Sequence, residues 1–179
     1  MAAESADGRR SDRLAAWAII PLVAFLAVIL IVFYGLFDTT TVDGDSMLPT
    51  LLSADKVLVT KSYSRPIRDD IVVIHLLDAQ GRPDDIVKRV IGVPGDTVEI
   101  RNDVAWVNGS REATHPVIID ASAADSFPPV TVPADTIYVM GDNRPVSLDS
   151  RYLGSIPLTD VQGRVEAIFA PINRIRIVH

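Results

Sequence analysis

The chain reads as a mainly β protein with one long apolar helix near its N-terminus. Three observations lead there. Residues 14–37 carry no charge. Beyond residue 40 no helical period persists. Short β-rich runs recur instead between turn signals through the rest of the sequence.

The apolar stretch sets the topology. Its 24 residues, rising about 1.5 Å each, give a helix of roughly 36 Å. That is enough to cross a hydrocarbon core of about 30 Å with some tilt. Pro21 falls near the start, where a helix tolerates proline. Trp17 and Tyr34 lie near the two ends, where amphipathic rings suit membrane interfaces. Arg9, Arg10 and Arg13 precede the stretch, whereas residues 38–55 hold four aspartates and no Lys or Arg. The positive-inside rule makes residues 1–13 a cytoplasmic tail, 14–37 a transmembrane helix and 38–179 an extracytoplasmic domain. A cleaved secretory signal is the alternative. Its apolar region usually has about 7–15 residues and leads to an Ala-x-Ala site, but Asp38-Thr39-Thr40-Thr41 follows here.

The remainder predicts strands over residues 56–61, 71–77, 86–91, 97–101, 104–107, 136–140, 163–169 and 174–178. Arg65-Pro66, Gly81-Arg82-Pro83, Val93-Pro94-Gly95-Asp96 and Asn108-Gly109 separate them. Asn-Gly after Val104-Ala105-Trp106-Val107 marks a hairpin. Residues 49–53 suggest a turn. Residues 113–133, rich in Ala, Ser and Pro, read as a loop, so that about 110–133 forms a loop or a reduced accessory insertion. The expected architecture is one helix leading into a compact antiparallel β-domain.

Composition excludes several classes. A formal net charge of −6 disfavours nucleic acid as a partner, because binding phosphates needs a basic face. The 179 residues contain no cysteine, which removes disulfides, thiolate metal sites and a cysteine nucleophile. The histidines, His75, His115 and His179, show no metal-ligand spacing.

Three motifs carry candidate chemistry. In Gly44-Asp45-Ser46-Met47-Leu48-Pro49-Thr50-Leu51, the glycine permits a sharp turn and the proline ends a strand. Such a turn lifts Ser46 out of the sheet with its N–H free to face an oxyanion. An ordinary exposed turn serine is the plainer reading of Ser46 alone. Lys88 lies in Ile86-Val87-Lys88-Arg89-Val90-Ile91, where alternation puts it on one face with Ile86 and Val90 and puts Arg89 on the other. A lysine there either snorkels to water or is desolvated, its pKa falling from about 10.4 until it serves as a base. The third motif is Gly141-Asp142-Asn143-Arg144-Pro145-Val146-Ser147-Leu148-Asp149-Ser150-Arg151. Asp149 and Arg151 share a face if this segment is extended, and Ser147 has the chemistry to hold the lysine amine toward Ser46. A solvated loop with surface ion pairs is the other reading.

Taken in order after an apolar span, these motifs resemble those of bacterial type I signal peptidases, and the resemblance covers nearly the whole chain. It implies a membrane-anchored serine endopeptidase that removes signal peptides from exported preproteins. By position, Ser46 is then the nucleophile, Lys88 the general base and Ser147 the residue that orients the lysine, with Asp149 and Arg151 as its supporting pair. The family fold implied is a coiled-sheet β-domain without metal or cofactor. The partners implied are signal peptides and the lipid bilayer. The substrate implied is an extended strand with Ala-x-Ala before the cut. Val42, Met47, Ile86 and Val87 occupy the positions of its shallow apolar pockets, and plain core packing is the other reading of these four. Two departures stand out. Some members carry a serine where this chain has Gly44, which leaves the second oxyanion donor unassigned. Only about 45 residues separate the lysine motif from Gly141, so any accessory β-cap is small. A regulatory Ser-Lys protease that cleaves itself or one partner, and an inactive membrane-tethered binding domain, remain open.

Overall fold

The computed structural model describes residues 4–61, 63–77, 80–112 and 115–178, with backbone alone for residues 4–18. Expectations that rest on residues 1–3, on the side chains of Arg9, Arg10, Arg13 and Trp17, or on His179 lie outside the described residues. The chain divides into two compact units, Met1–Phe37 and Asp38–His179.

The first unit is helix α1, Glu4–Leu36, with Pro21 inside it. It extends beyond the uncharged stretch toward the N-terminus, because Glu, Ala and Arg are good helix formers whether or not they are apolar. Its segment Ile19–Leu36 has a mean hydropathy of 2.9, no buried residue, and length enough to cross a membrane.

The second unit is built from strands. In chain order they are β1 (Phe37–Thr41), β2 (Lys56–Lys61), β3 (Ile71–Leu77), β4 (Pro83–Gly92), β5 (Thr97–Arg101), β6 (Val104–Val107), β7 (Ser110–Arg111), β8 (Phe127–Thr131) and β9 (Thr136–Met140). A one-turn helix α2 (Ser150–Leu153) follows, and then β10 (Ile156–Pro157), β11 (Val161–Ala170) and β12 (Arg176–Ile177). The large sheet runs β1-β2-β11-β3-β4-β9-β10, with β12 paired to β11; the small sheet runs β7-β6-β5-β8. The ladders β2–β11, β11–β3, β3–β4 and β4–β9 are all antiparallel.

Strand β3 explains the core. Its Ile71 and Val73 join Met47, Leu51, Val57, Val59, Val165 and Ile168 on one face. Its Val72 and Ile74 join Val90, Ile137, Val139 and Ile156 on the other. Both faces are covered, so the strand is a continuous apolar run rather than an alternating one. A third cluster, including Ile91, Val98, Ile100 and Tyr138, packs around the small sheet. At the Asn108-Gly109 hairpin both residues take positive φ, 52° and 79°, the geometry that matches strand twist in a two-residue turn.

Several expectations need correction. Residues 110–133 are only partly loop: Ser110–Arg111 closes the hairpin and Phe127–Thr131 pairs with β5. That strand contains Pro128 and Pro129, which donate nothing to a ladder and are tolerated because β8 is an edge. The strand expected at 174–178 is reduced to Arg176–Ile177, preceded by a 3₁₀ turn, Ile172–Arg174. It pairs only with Ala167 and Ile168, beyond the reach of β3. Helix α2 was absent from the sequence reading, since four residues show no period.

Candidate active site

Ser46 sits on a turn that begins at Gly44. Gly44 has φ +82°, a left-handed conformation that favours glycine. The turn is closed by Leu48 N–H donating to Asp45 O at 3.1 Å and Leu51 N–H to Met47 O at 2.9 Å. Met47 is buried in the core beneath it, which anchors the turn while Ser46 remains half-buried.

Strand β4 brings up the lysine. Lys88 stands opposite Val72 and two residues from Ile86, in an apolar setting that leaves it 4% exposed. Its Nζ lies 2.8 Å from Ser46 Oγ and donates to Val87 O at 3.1 Å. Burial pushes the amine from its ordinary value of 10.5 down to about 8, against the attraction of Asp149 and Asp84, which favour its charged form. Desolvation outweighs both carboxylates.

The Gly141–Arg151 segment wraps over this pair. Asn143 N–H donates to Ser46 O at 2.9 Å. Gly141 is wedged in the contact: a Cβ there would stand 2.5 Å from Ser46 O and 2.6 Å from Ser147 Cβ, and closer still to Ser147 Oγ. No other residue fits that approach. Ser147 is therefore a neighbour of the Ser46 backbone. Its Oγ is buried without a hydrogen-bond partner, so it does not hold the Lys88 amine here. Asp149 and Arg151 do pair, at 2.9 Å from Nε to Oδ1 and 3.0 Å from Nη2 to Oδ2. They meet because Asp149 caps α2 rather than because the segment is extended: its carboxylate accepts Arg151 N–H at 3.2 Å and Gly141 N–H at 3.0 Å.

Three buried arginines brace the segment, each in fork geometry suited to carboxylates. Arg89 donates to both Asp142 oxygens at 2.8 and 2.7 Å. Arg144 donates to both Glu112 oxygens at 2.9 and 2.7 Å. Arg151 adds Asp103 at 2.7 Å. His115 is buried among Asp69, Glu112 and Asp142, with neither ring nitrogen hydrogen-bonded. Burial and the Arg89 charge lower its pKa.

A cleft of about 710 Å³ opens beside Ser46 and Lys88. Its wall is apolar, from Leu48, Leu76, Leu77, Ile86, Leu148 and Leu153, with Asp84 and Asn143 as polar points. Of the expected pocket residues, Ile86 lies in that wall. Val42 and Met47 are closed off in the core, and Val87, on the opposite face of β4 from Lys88, packs against that same cluster. Sequence reasoning missed Gly141, Asn143, Asp142 and Arg89. For Gly141, Asp142 and Asn143 the signal was the run Gly-Asp-Asn-Arg itself, and for Arg89 it was the position next to Lys88; both name the residues without their partners.

The chain is a hydrolase, a serine peptidase by class. A sequence model of the family described as signal peptidase, peptidase S26, matches residues 14–170, and the chain belongs to that family. Signal peptidase I P of Bacillus subtilis subsp. natto is 38% identical over 95% of this chain and 96% of its own length. Signal peptidase I S of Bacillus subtilis (strain 168) is 36% identical over 89% of this chain and 91% of its own. Among solved structures, a signal peptidase I from Enterococcus faecalis V583 is 30% identical, covers 56% of this chain and 96% of its own, and superposes with a TM-score of 0.47.

Proposed function

We propose that this chain is a membrane-anchored endopeptidase that cleaves signal peptides from exported preproteins after Ala-x-Ala, with Ser46 as nucleophile and Lys88 as general base. The observation that carries this is the 2.8 Å approach of Lys88 Nζ to Ser46 Oγ, with the amine buried and its pKa lowered to about 8. A lysine so desolvated is neutral often enough near neutral pH to take a hydroxyl proton. Neutral Nζ accepts the Ser46 proton as Oγ attacks the scissile carbonyl carbon. The oxyanion that forms faces the Ser46 N–H. The lysine returns its proton to the leaving amine nitrogen as the C–N bond breaks. Water then gives a proton to Nζ as its oxygen adds to the acyl carbon, and the lysine returns that proton to Ser46 Oγ as the ester bond breaks, releasing the new carboxyl terminus and restoring the enzyme.

Ser147 orients the amine when substrate closes the cleft, and Asp149 and Arg151 hold that loop. The apolar wall around Ile86 takes small side chains of an extended substrate, with Val42, Met47 and Val87 stiffening it from the core. Residues 14–37 span the bilayer, with 1–13 in the cytoplasm and 38–179 on the extracytoplasmic side, as Arg9, Arg10 and Arg13 direct. The reaction calls on no metal or cofactor, and the acidic chain has no nucleic-acid partner.

The test is incubation of the full chain, in detergent or proteoliposomes, with a preprotein bearing an Ala-x-Ala site, followed by N-terminal sequencing. One cut after Ala-x-Ala is expected, and Ser46→Ala and Lys88→Ala should each abolish it. Cleavage by either variant at the wild-type rate contradicts the assignment, and self-cleavage alone favours a regulatory protease.

A further inference from the structure

Asn143 grips the nucleophile's turn on both sides of Ser46. Its main-chain N–H donates to Ser46 O at 2.9 Å. Its side-chain Nδ2 donates to Asp45 O at 3.0 Å, an oxygen that also accepts Leu48 N–H at 3.1 Å. Asn143 itself does not move easily. It is buried between Asp142, fixed to Arg89, and Arg144, fixed to Glu112. Ile118 clips the same strip, donating to Asp142 O at 2.8 Å and accepting Arg144 N–H at 3.1 Å.

The consequence is directional. The peptide unit joining Asp45 to Ser46 is planar and trans, so its C=O and N–H point in opposite directions. Two donors on Asp45 O therefore fix the direction of Ser46 N–H as well, away from Asn143. Among the described residues no backbone acceptor takes that N–H. Gly44 has no side chain to supply a further donor, so the aim of this one amide matters more. Asn143 Nδ2 lies on the carbonyl side of the peptide and cannot itself converge on the oxyanion.

We infer that Asn143 is a positioning residue that aims the Ser46 N–H at the oxyanion of the tetrahedral intermediate, an inference that rests on Ser46 being the nucleophile as proposed above. Loss of an oxyanion-hole donor typically costs about 10²–10³ in kcat. Loss of its aim should cost less, on the order of 10- to 100-fold, because the amide remains.

The experiment uses the full chain in detergent with a peptide spanning an Ala-x-Ala site, and with the matching peptide aldehyde, which forms a tetrahedral adduct on a serine. In Asn143→Ala and Asn143→Asp, kcat should fall by roughly 10- to 100-fold while KM changes less than about threefold. The aldehyde Ki should rise in step with the loss in kcat/KM. A merely structural role would not move that ratio. Asn143→Asp keeps the side-chain size but presents oxygens to Asp45 O, so it carries the test if the alanine variant fails to fold. Retention of kcat within twofold, or a lowered kcat with an unchanged aldehyde Ki, overturns the inference while an inactive Ser46→Ala leaves the nucleophile assignment standing. A fully active Ser46→Ala overturns that assignment and the inference with it.

Discussion

Lys88 Nζ lies 2.8 Å from Ser46 Oγ although 42 residues separate them in sequence. Strand β4 delivers the amine and the Gly44 turn delivers the hydroxyl. Burial leaves the amine far more readily neutral than a surface lysine.

The pH dependence follows from that burial. With Lys88 as the proposed general base, kcat/KM should rise with pH along a limb whose apparent pKa is about 8. Asp149 favours the charged amine. Asp149→Asn removes that attraction and should move the limb to lower pH, alongside a loss of stability from breaking a buried pair. Steady-state kinetics from pH 6 to 10 on both proteins checks the direction.

Stability should report the same group, also rising with pH but over a higher window. The unfolded lysine titrates near 10.5 and the folded one near 8. Below pH 8 both states bind the proton, and the folded state bears the full cost of a buried charge. Between about pH 8 and 10.5 the unfolded state holds more protons, so stability rises with pH. Lys88→Met should be inactive yet more stable at pH 7, by something on the order of 2–4 kcal/mol, and its advantage should shrink as pH rises through that window. Thermal unfolding at pH 7 and pH 9.5 decides this.

Gly141→Ala should fail twice. The added methyl meets the Ser46 carbonyl and the Ser147 side chain, so either the turn or the loop shifts. A kcat loss of more than about tenfold is expected, with destabilisation of about 1–3 kcal/mol from overpacking. Kinetics and denaturant unfolding on one preparation measure both.

Ser147→Ala separates structure from chemistry. Its hydroxyl is buried without a partner, and removing such a group is neutral or stabilising by about 1 kcal/mol. With Ser147 as the proposed orienting group, activity should nonetheless fall at least tenfold. An unchanged kcat would assign Ser147 to packing alone.

The strands with strong apolar patterning were legible to the residue. β3, β5, β6 and β9 end where hydrophobic runs and turn residues say they should. β8 was hidden by its two prolines, and β12 was overestimated because strand propensity does not reveal that β11 is already paired along most of its length. At the site, Ser46 and Lys88 could be singled out only from the motifs taken in order after the apolar span, because a turn serine and a snorkelling lysine are the plainer readings of each alone. Asn143 could not be, because its acceptor Asp45 lies 98 residues away. Asp149 and Arg151 were paired correctly through the wrong backbone, since a cap and a strand bring residues two apart together in different ways. Val42 and Met47 went to the core, with Leu51, because the turn carrying Ser46 is anchored by the apolar residues before, within and after it.

With a pKa of about 8, Lys88 is uncharged in about a tenth of molecules at pH 7, far more than a lysine in water. The chain has three lysines, Lys56, Lys61 and Lys88, so NMR titration of side-chain-labelled lysine in the full, detergent-solubilised protein resolves each, with Lys88→Met as the assignment control. One signal titrating near pH 8 that vanishes in the variant is expected. A Lys88 signal titrating near 10.5, like a lysine in water, would contradict this expectation.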